Sequence, residues 1–114
     1  MRVRDIVTAL SLEIIHEGEH LDDPVEGGYV GDLLSDVIAS ARRRDFWITI
    51  QSHENIIAVA TLKDLAGVVL AKNTTPHAET VEHAKRENVT LLRSSMTSYQ
   101  LVARLAGLGI SGDR

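Results

Sequence analysis

The spacing of apolar positions changes period several times along the chain, and each change marks an element. Val3, Ile6, Val7 and Leu10 recur at helical spacing with Arg4, Asp5 and Thr8 opposite them, which predicts an opening amphipathic helix. Leu12 to His16 reads as a strand, Gly18 to Pro24 as an acidic, turn-rich loop, and Val25 to Gly31 as a short strand rich in glycine. Asp32 is placed to cap a helix with Leu33, Leu34, Val37, Ile38 and Ala41 on one face, and Arg42 to Arg44 fall in its expected last turn. Phe46 to Ile50 is a β-branched and aromatic run of the length of a buried strand. Gln51, Ser52 and His53 interrupt it before apolar residues resume in a helix from Glu54 to Ala66, closed by Gly67. Val68 to Ala71 is the next strand. Thr75 and Pro76 then open a helix that Asn88 stops in a left-handed conformation. Val89 to Leu92 is the last strand, and Thr97 with Gln100 forms a capping box for a helix that ends at Gly107 and Gly109.

Strand and helix alternate three times from Phe46 to Leu105, which calls for parallel strands joined by crossovers of one hand. The expected fold is therefore a three-layer α/β/α domain with a largely parallel sheet of about five strands, mixed if the two amino-terminal strands run the other way. No linker or shift in composition divides the chain, so residues 1–110 read as one domain followed by a loose tail, 111–114.

Composition narrows the classes of function. The chain has 114 residues, enough to bury one core, and only four aromatics, so that core must be aliphatic. A net charge of -4 and a single short basic run, Arg42 to Arg44, give no reason to approach a phosphate backbone, and nucleic acid is not expected as a partner. The absence of cysteine excludes disulfides and thiolate chemistry and fits a reducing compartment. No apolar run approaches the roughly 20 residues of a membrane span, and charges at Arg2, Arg4 and Asp5 break any leader-like stretch, so a cytoplasmic protein without membrane contact is expected.

Polar groups gather where strands end. Ligands of open α/β sheets bind beyond the carboxyl ends of the strands, and helix amino termini favour anions, so a ligand is expected over the turns holding Gln51, Ser52, His53, Asn73, Ser94 and Ser95. His53 beside Glu54 could act as a general base, while Ser52 and Glu54 could equally cap the helix. Ser94, Ser95 and Thr97 have no acid–base partner adjacent in sequence, and Gly27, Gly28 and Gly31 form neither a P-loop nor a dinucleotide fingerprint. Neither His16 with His20 nor His77 with His83 has the spacing of a helical zinc pair, so no metal is expected, and no cofactor is implied. The acidic group Glu17, Glu19, Asp22 and Asp23 reads as solvated loop charge.

Taken together, VEGGYVGDLLSDVIASA, WITIQSHENIIAVATLKDLAGVVLA and TLLRSSMTSYQLVARLAGLGI resemble a stand-alone DRTGG domain. That family is similar in fold to the amino-terminal domain of HPr kinase/phosphorylase and also occurs as an accessory domain in some phosphotransacetylases and in pyrophosphatases with CBS domains. Where the family's name places Asp-Arg-Thr, this chain has Ser52-His53-Glu54-Asn55. The resemblance implies a non-catalytic regulatory or oligomerisation module sensing a small phosphorylated metabolite or nucleotide. A small enzyme using His53 and Glu54, and a purely structural interaction domain, are the alternatives. A homodimer is also expected. Eight of the eleven residues from Ile56 to Ala66 are apolar and surround most of their helix, so Ile56, Val59 and Leu62 are assigned to an interface between copies.

Overall fold

The structure, a computed structural model, describes residues 1–112; the last part of the expected tail, Asp113 and Arg114, lies outside them. Ten elements follow in the order α1 (Val3–Leu10), β1 (Glu13–His16), β2 (Gly27–Val30), α2 (Leu34–Ser40), β3 (Asp45–Thr49), α3 (Asn55–Lys63), β4 (Gly67–Leu70), α4 (Ala78–Glu87), β5 (Leu91–Arg93) and α5 (Ser98–Gly107). One five-stranded sheet has the order β1-β5-β4-β3-β2. The four strands β2 to β5 pair in parallel, and β1 joins β5 antiparallel, so the sheet is mixed.

The strand sequence explains the layers. Every residue of β3 is buried, and its side chains alternate between two cores. Phe46 and Ile48 join Val69, Leu92 and residues of α1 and α5 on one face. Trp47 joins Val68, Leu70, Leu91 and residues of α2, α3 and α4 on the other. Since β2 to β5 advance across the sheet in one direction, crossovers of a single hand must put α2, α3 and α4 on the same face. After β5 no further parallel strand follows, and α5 is free to take the opposite face beside α1.

Several element ends differ from the sequence reading. Asp32 does not cap α2; its Oδ1 accepts hydrogen bonds from Thr49 Oγ1 at 2.8 Å and Ile50 N at 3.0 Å, tying the end of β2 to the end of β3. Arg42 to Arg44 lie beyond α2, in a turn held by the buried Asp45, whose Oδ2 accepts from the Arg42 amide at 2.8 Å. Helix α3 stops at Lys63 with Asp64 left-handed at its end, which leaves Leu65 and Ala66 to enter the core and Gly67 to begin β4. Thr75 and Pro76 precede α4 without capping it; His77 takes that place because its amide is bound to the Ser52 carbonyl. Asn88, left-handed at φ 57°, and the Thr97–Gln100 capping box are as read from the sequence.

The helix assigned to a dimer interface is covered within the chain. Ile56 and Val59 are buried with Ile57 and Ala60 in a core that α2 and α4 complete, and of the three residues assigned to the interface only Leu62 is exposed. Strand order is what places α3 between α2 and α4, and the apolar pattern of the helix by itself does not reveal that cover.

One glycine is fixed by close approach. A Cβ on Gly18 would lie 2.3 Å from the Thr90 nitrogen and 2.6 Å from the Asn88 carbonyl oxygen, both backbone atoms that cannot turn aside. Gly18→Ala is therefore expected to destabilise the fold by about 1–3 kcal/mol, as overpacking does. The measure is the urea midpoint, and an unchanged midpoint would show that the loop 17–24 is not seated on this turn.

Candidate functional site

The loops after β4 and β5 part company because their helices lie on opposite faces: Ala71 to His77 leads to α4, and Ser94 to Thr97 leads to α5. Helix α5 therefore shares a face with α1, and a crevice opens at the carboxyl end of β5 between the β5–α5 loop and the end of α1 with the start of β1. It has a volume of about 410 Å³. Asn73, Ser94, Ser95 and Met96 form one part of its lining, and Arg93 enters from the last position of β5. Ala9, Leu10 and Ser11 at the end of α1, Glu13 at the start of β1, and Arg104 from α5 complete it. The two loops are stitched together below by Asn73 N to Ser94 O at 2.8 Å and Lys72 N to Met96 O at 2.9 Å. Lys72 and Asn73 are both left-handed, so the chain turns sharply as it leaves β4.

Much of the polar lining is uncommitted. The side chains of Ser11, Asn73, Ser95 and Arg104 make no hydrogen bond or ion pair among the described residues. Ser94 is buried, and its Oγ accepts from the Met96 amide at 3.0 Å, a structural role. Arg93 holds Glu13 through Nε and NH2 contacts of 3.0–3.1 Å. Two arginines against one glutamate leave the crevice with one excess positive charge in a chain whose net charge is -4.

The remaining residues expected around a ligand do not line this crevice. Gln51 Nε2 donates to the Asp32 carbonyl at 2.9 Å, and Ser52 Oγ lies 3.2 Å from His77 Nε2. Glu54 holds the N-cap position of α3 without a side-chain cap bond, and it is His53 Nδ1, one residue earlier, that accepts from the Asn55 amide at 3.1 Å. Glu54 instead lies 3.7 Å from His83 Nδ1. Ser52 and His77 have the contact of a nucleophile and a base, but nothing among the described residues orients the second nitrogen of His77, and His53 makes only an edge contact with its ring at 5.9 Å. The geometry thus separates a polar crevice from a surface turn. Sequence reading missed Arg93, Arg104, Ser11 and Glu13, since only the placement of β1 beside β5 brings the first of the chain to the last.

A second concavity of about 400 Å³ lies against the edge strand β2 and is apolar, lined by Val30, Ile48, Val102, Leu105 and Ile110 among others. It offers shape without charged groups. A third cluster, Glu19, His20 and Asp64, has ligand atoms within 4.8 Å of one another. Its carboxylates are already engaged: Asp64 pairs with Arg43 at 2.9 Å and with His20 Nε2 at 2.8 Å, and His20 Nδ1 meets Asp23, which also pairs with Arg44. Asp22 pairs with Arg4 at 2.8 Å. The acidic loop is therefore not simply solvated charge; it is clamped to α1 and to the turn before β3 by basic residues.

The fold and this crevice define an α/β domain with an open polar site at its strand ends and no assembled catalytic group among the described residues. The family model of the DRTGG domain matches residues 5–108, and the chain belongs to the DRTGG domain family. A crystal structure of the CBS and DRTGG domains of the regulatory region of Clostridium perfringens pyrophosphatase, complexed with its activator diadenosine tetraphosphate, has the same fold at a TM-score of 0.68 and 21% identity. The match covers 96% of this chain and 47% of that one, so the chain spans about half the length of that relative. No curated protein sequence matches the chain.

The clamp of the acidic loop sets a pH dependence. The hydrogen bond from His20, with Arg44 beside it, holds the Asp23 carboxyl below its usual value of 3.8. Partial burial pulls Asp64 upward, but hydrogen bonds from His20 and Arg43 and the charge of Arg44 outweigh it, and Asp64 too lies below 3.8. The unfolded chain then binds more protons than the folded one as pH falls below that value, so the stability these groups contribute is present above 3.8 and lost beneath it. Urea midpoints measured against pH are expected to fall on the acid side, with a shallower fall in an Asp23→Asn, Asp64→Asn double variant. Equal slopes for the two proteins would refute the assignment.

Proposed function

We propose that this chain is a non-catalytic regulatory module of the cytoplasm that binds a small effector in the crevice between the β5–α5 loop and the end of α1, and that it acts as a homodimer. The observation that carries the reading is the crevice itself, where Ser11, Asn73, Ser95 and Arg104 present unpaired polar side chains at the strand ends. All four are exposed and hydrated in the free protein, and a concavity at strand ends that presents such groups together is available to a ligand. Asn73, Ser94 and Ser95 are the part of the expected site that enters this reading. Membership of the DRTGG family agrees with it, as does the occurrence of that domain in a pyrophosphatase regulatory region complexed with a nucleotide activator. Among the described residues no helix is long and apolar enough to cross a membrane.

Self-association is supported by a surface other than α3. Strand β2 is an edge strand of sequence GGYV with no proline, lysine or bulge to block pairing. Five of the nine exposed large hydrophobic residues, Val30, Leu33, Ile38, Ile50 and Val102, belong to β2 or to segments beside it. Two such edges meeting about a two-fold axis would bury both rows of backbone groups.

Two measurements test the proposal. A thermal-shift screen against nucleotides, acyl phosphates and phosphorylated sugars is expected to find a ligand that raises the melting point by roughly 10 °C at one hundred times its dissociation constant, equivalent to about 2.7 kcal/mol. A panel without any stabilising compound counts against an effector module. Light scattering at micromolar concentration is expected to give a dimer that a Val30→Glu, Val102→Glu variant splits into folded monomers; a parent protein that is already monomeric ends the dimer reading.

A further inference from the structure

The crevice is asymmetric in its chemistry. Arg104 stands exposed on α5 without an ion pair among the described residues, and it shares the crevice lining with the hydroxyl of Ser95 and the amide of Asn73, exposed groups that can each donate a hydrogen bond. The acceptors in the lining are the Glu13 carboxylate and the Ala9 and Leu10 carbonyls at the end of α1, since those of Val7 and Thr8 already accept from the Leu12 and Ser11 amides. Arg93 stands between, held by Glu13 at 3.0–3.1 Å but with its NH1 only 3.5 Å from Thr75 Oγ1, a marginal contact. A volume of about 410 Å³ sits near the lower end of the ~300–1,000 Å³ common for small-molecule sites.

We infer that the crevice recognises a small phosphomonoester that also carries hydroxyl or amino groups, such as a sugar phosphate or a nucleoside monophosphate. This rests on the effector-module reading and adds the ligand class. The phosphate oxygens accept from Arg104, from Ser95 and Asn73, and from Arg93. Guanidinium groups match phosphate with paired, charge-assisted hydrogen bonds, which a neutral ligand cannot use. The hydroxyl or amino end donates to Glu13 and to the α1 carbonyls. A bare inorganic phosphate would meet those acceptors with negative charge and bind less well, and a neutral nucleoside would leave the arginines unpaired. Glu13 also competes with the ligand for Arg93, so its charge sets how tightly the phosphate is held.

The test is an amide NMR titration of the whole chain with AMP and with ribose 5-phosphate, using adenosine and inorganic phosphate as controls, up to about 10 mM to reach weak binding. Either phosphomonoester is expected to shift the Ser95 and Asn73 amides, and to bind at least tenfold more tightly than the controls. Arg104→Gln is expected to lower the affinity at least tenfold, Arg104→Lys to restore part of it, and Glu13→Gln to raise it, with melting points near the parent value confirming the fold. Unchanged affinity in Arg104→Gln, or equal binding of inorganic phosphate, overturns the inference. Shifts confined to other residues overturn it while leaving an effector module elsewhere on the domain, and a stabilising compound from the broad screen that lacks a phosphate does the same. Silence in both experiments removes both readings.

Discussion

Two-sided burial of β3 is the constraint on which the structure depends. All five residues of Asp45–Thr49 are buried, and a strand buried on both faces needs a layer of helices above and below. Phe46 and Ile48 require α1 and α5; Trp47 requires α2, α3 and α4. Trp47 is fully buried yet satisfied, because its Nε1 donates to the Gly31 carbonyl at 2.8 Å, so the largest side chain also fixes how the end of β2 leaves the sheet. Thr49, at the far end of the strand, is buried and bonded to Asp32 from the same loop. The strand thus specifies both its cover and its neighbour.

The crevice follows from how the cover is divided. A run of crossovers of one hand fills one face with α2, α3 and α4, and only the helix after the last parallel strand can reach the other. The loop holding Ser94 and Ser95 therefore turns towards the α1 face and leaves a crevice beside the end of α1, whereas the turn holding Gln51, Ser52 and His53 has α4 on its own side and closes by bonding to it through His77 and Thr80. Polar residues occur at both places. Only at the first does the backbone topology keep them open.

This difference also marks what could be read from sequence. Fold class, the order of elements and the family were legible because apolar period and turn residues act locally, as with Asn88 and the Thr97–Gln100 box, whereas the directions of β1 and β2 were not. Asp32, Thr75 and Gly67 were misassigned because a cap and a tertiary hydrogen bond use the same residue types, and the choice is made by a distant partner: Thr49 for Asp32, Ser52 for the His77 amide that displaced Thr75. Strand ends alone pointed to Asn73, Ser94 and Ser95, which line the crevice. Arg93, Arg104, Ser11 and Glu13 were missed, since no periodicity records that β1 pairs with β5. The apolar circumference of α3 was read correctly as needing two-sided cover, but the cover came from the helices on either side rather than from a second copy.

The pairing of Glu13 with Arg93 joins residues 80 apart in sequence, while the parallel pairs join residues about 20 apart, as in Phe46 with Gly67. Closing the longer loop costs about 1 kcal/mol more in chain entropy. Strand β1 is therefore expected to be the last strand recruited when the chain folds and the first whose amides exchange with solvent when the native state opens locally. One wall of the crevice, Ala9 to Ser11 and Glu13, is built from that strand and the end of the helix before it. Occupancy of the site would then be recorded as slowed hydrogen exchange along Glu13–His16, at the opposite end of the sheet from the β2 edge.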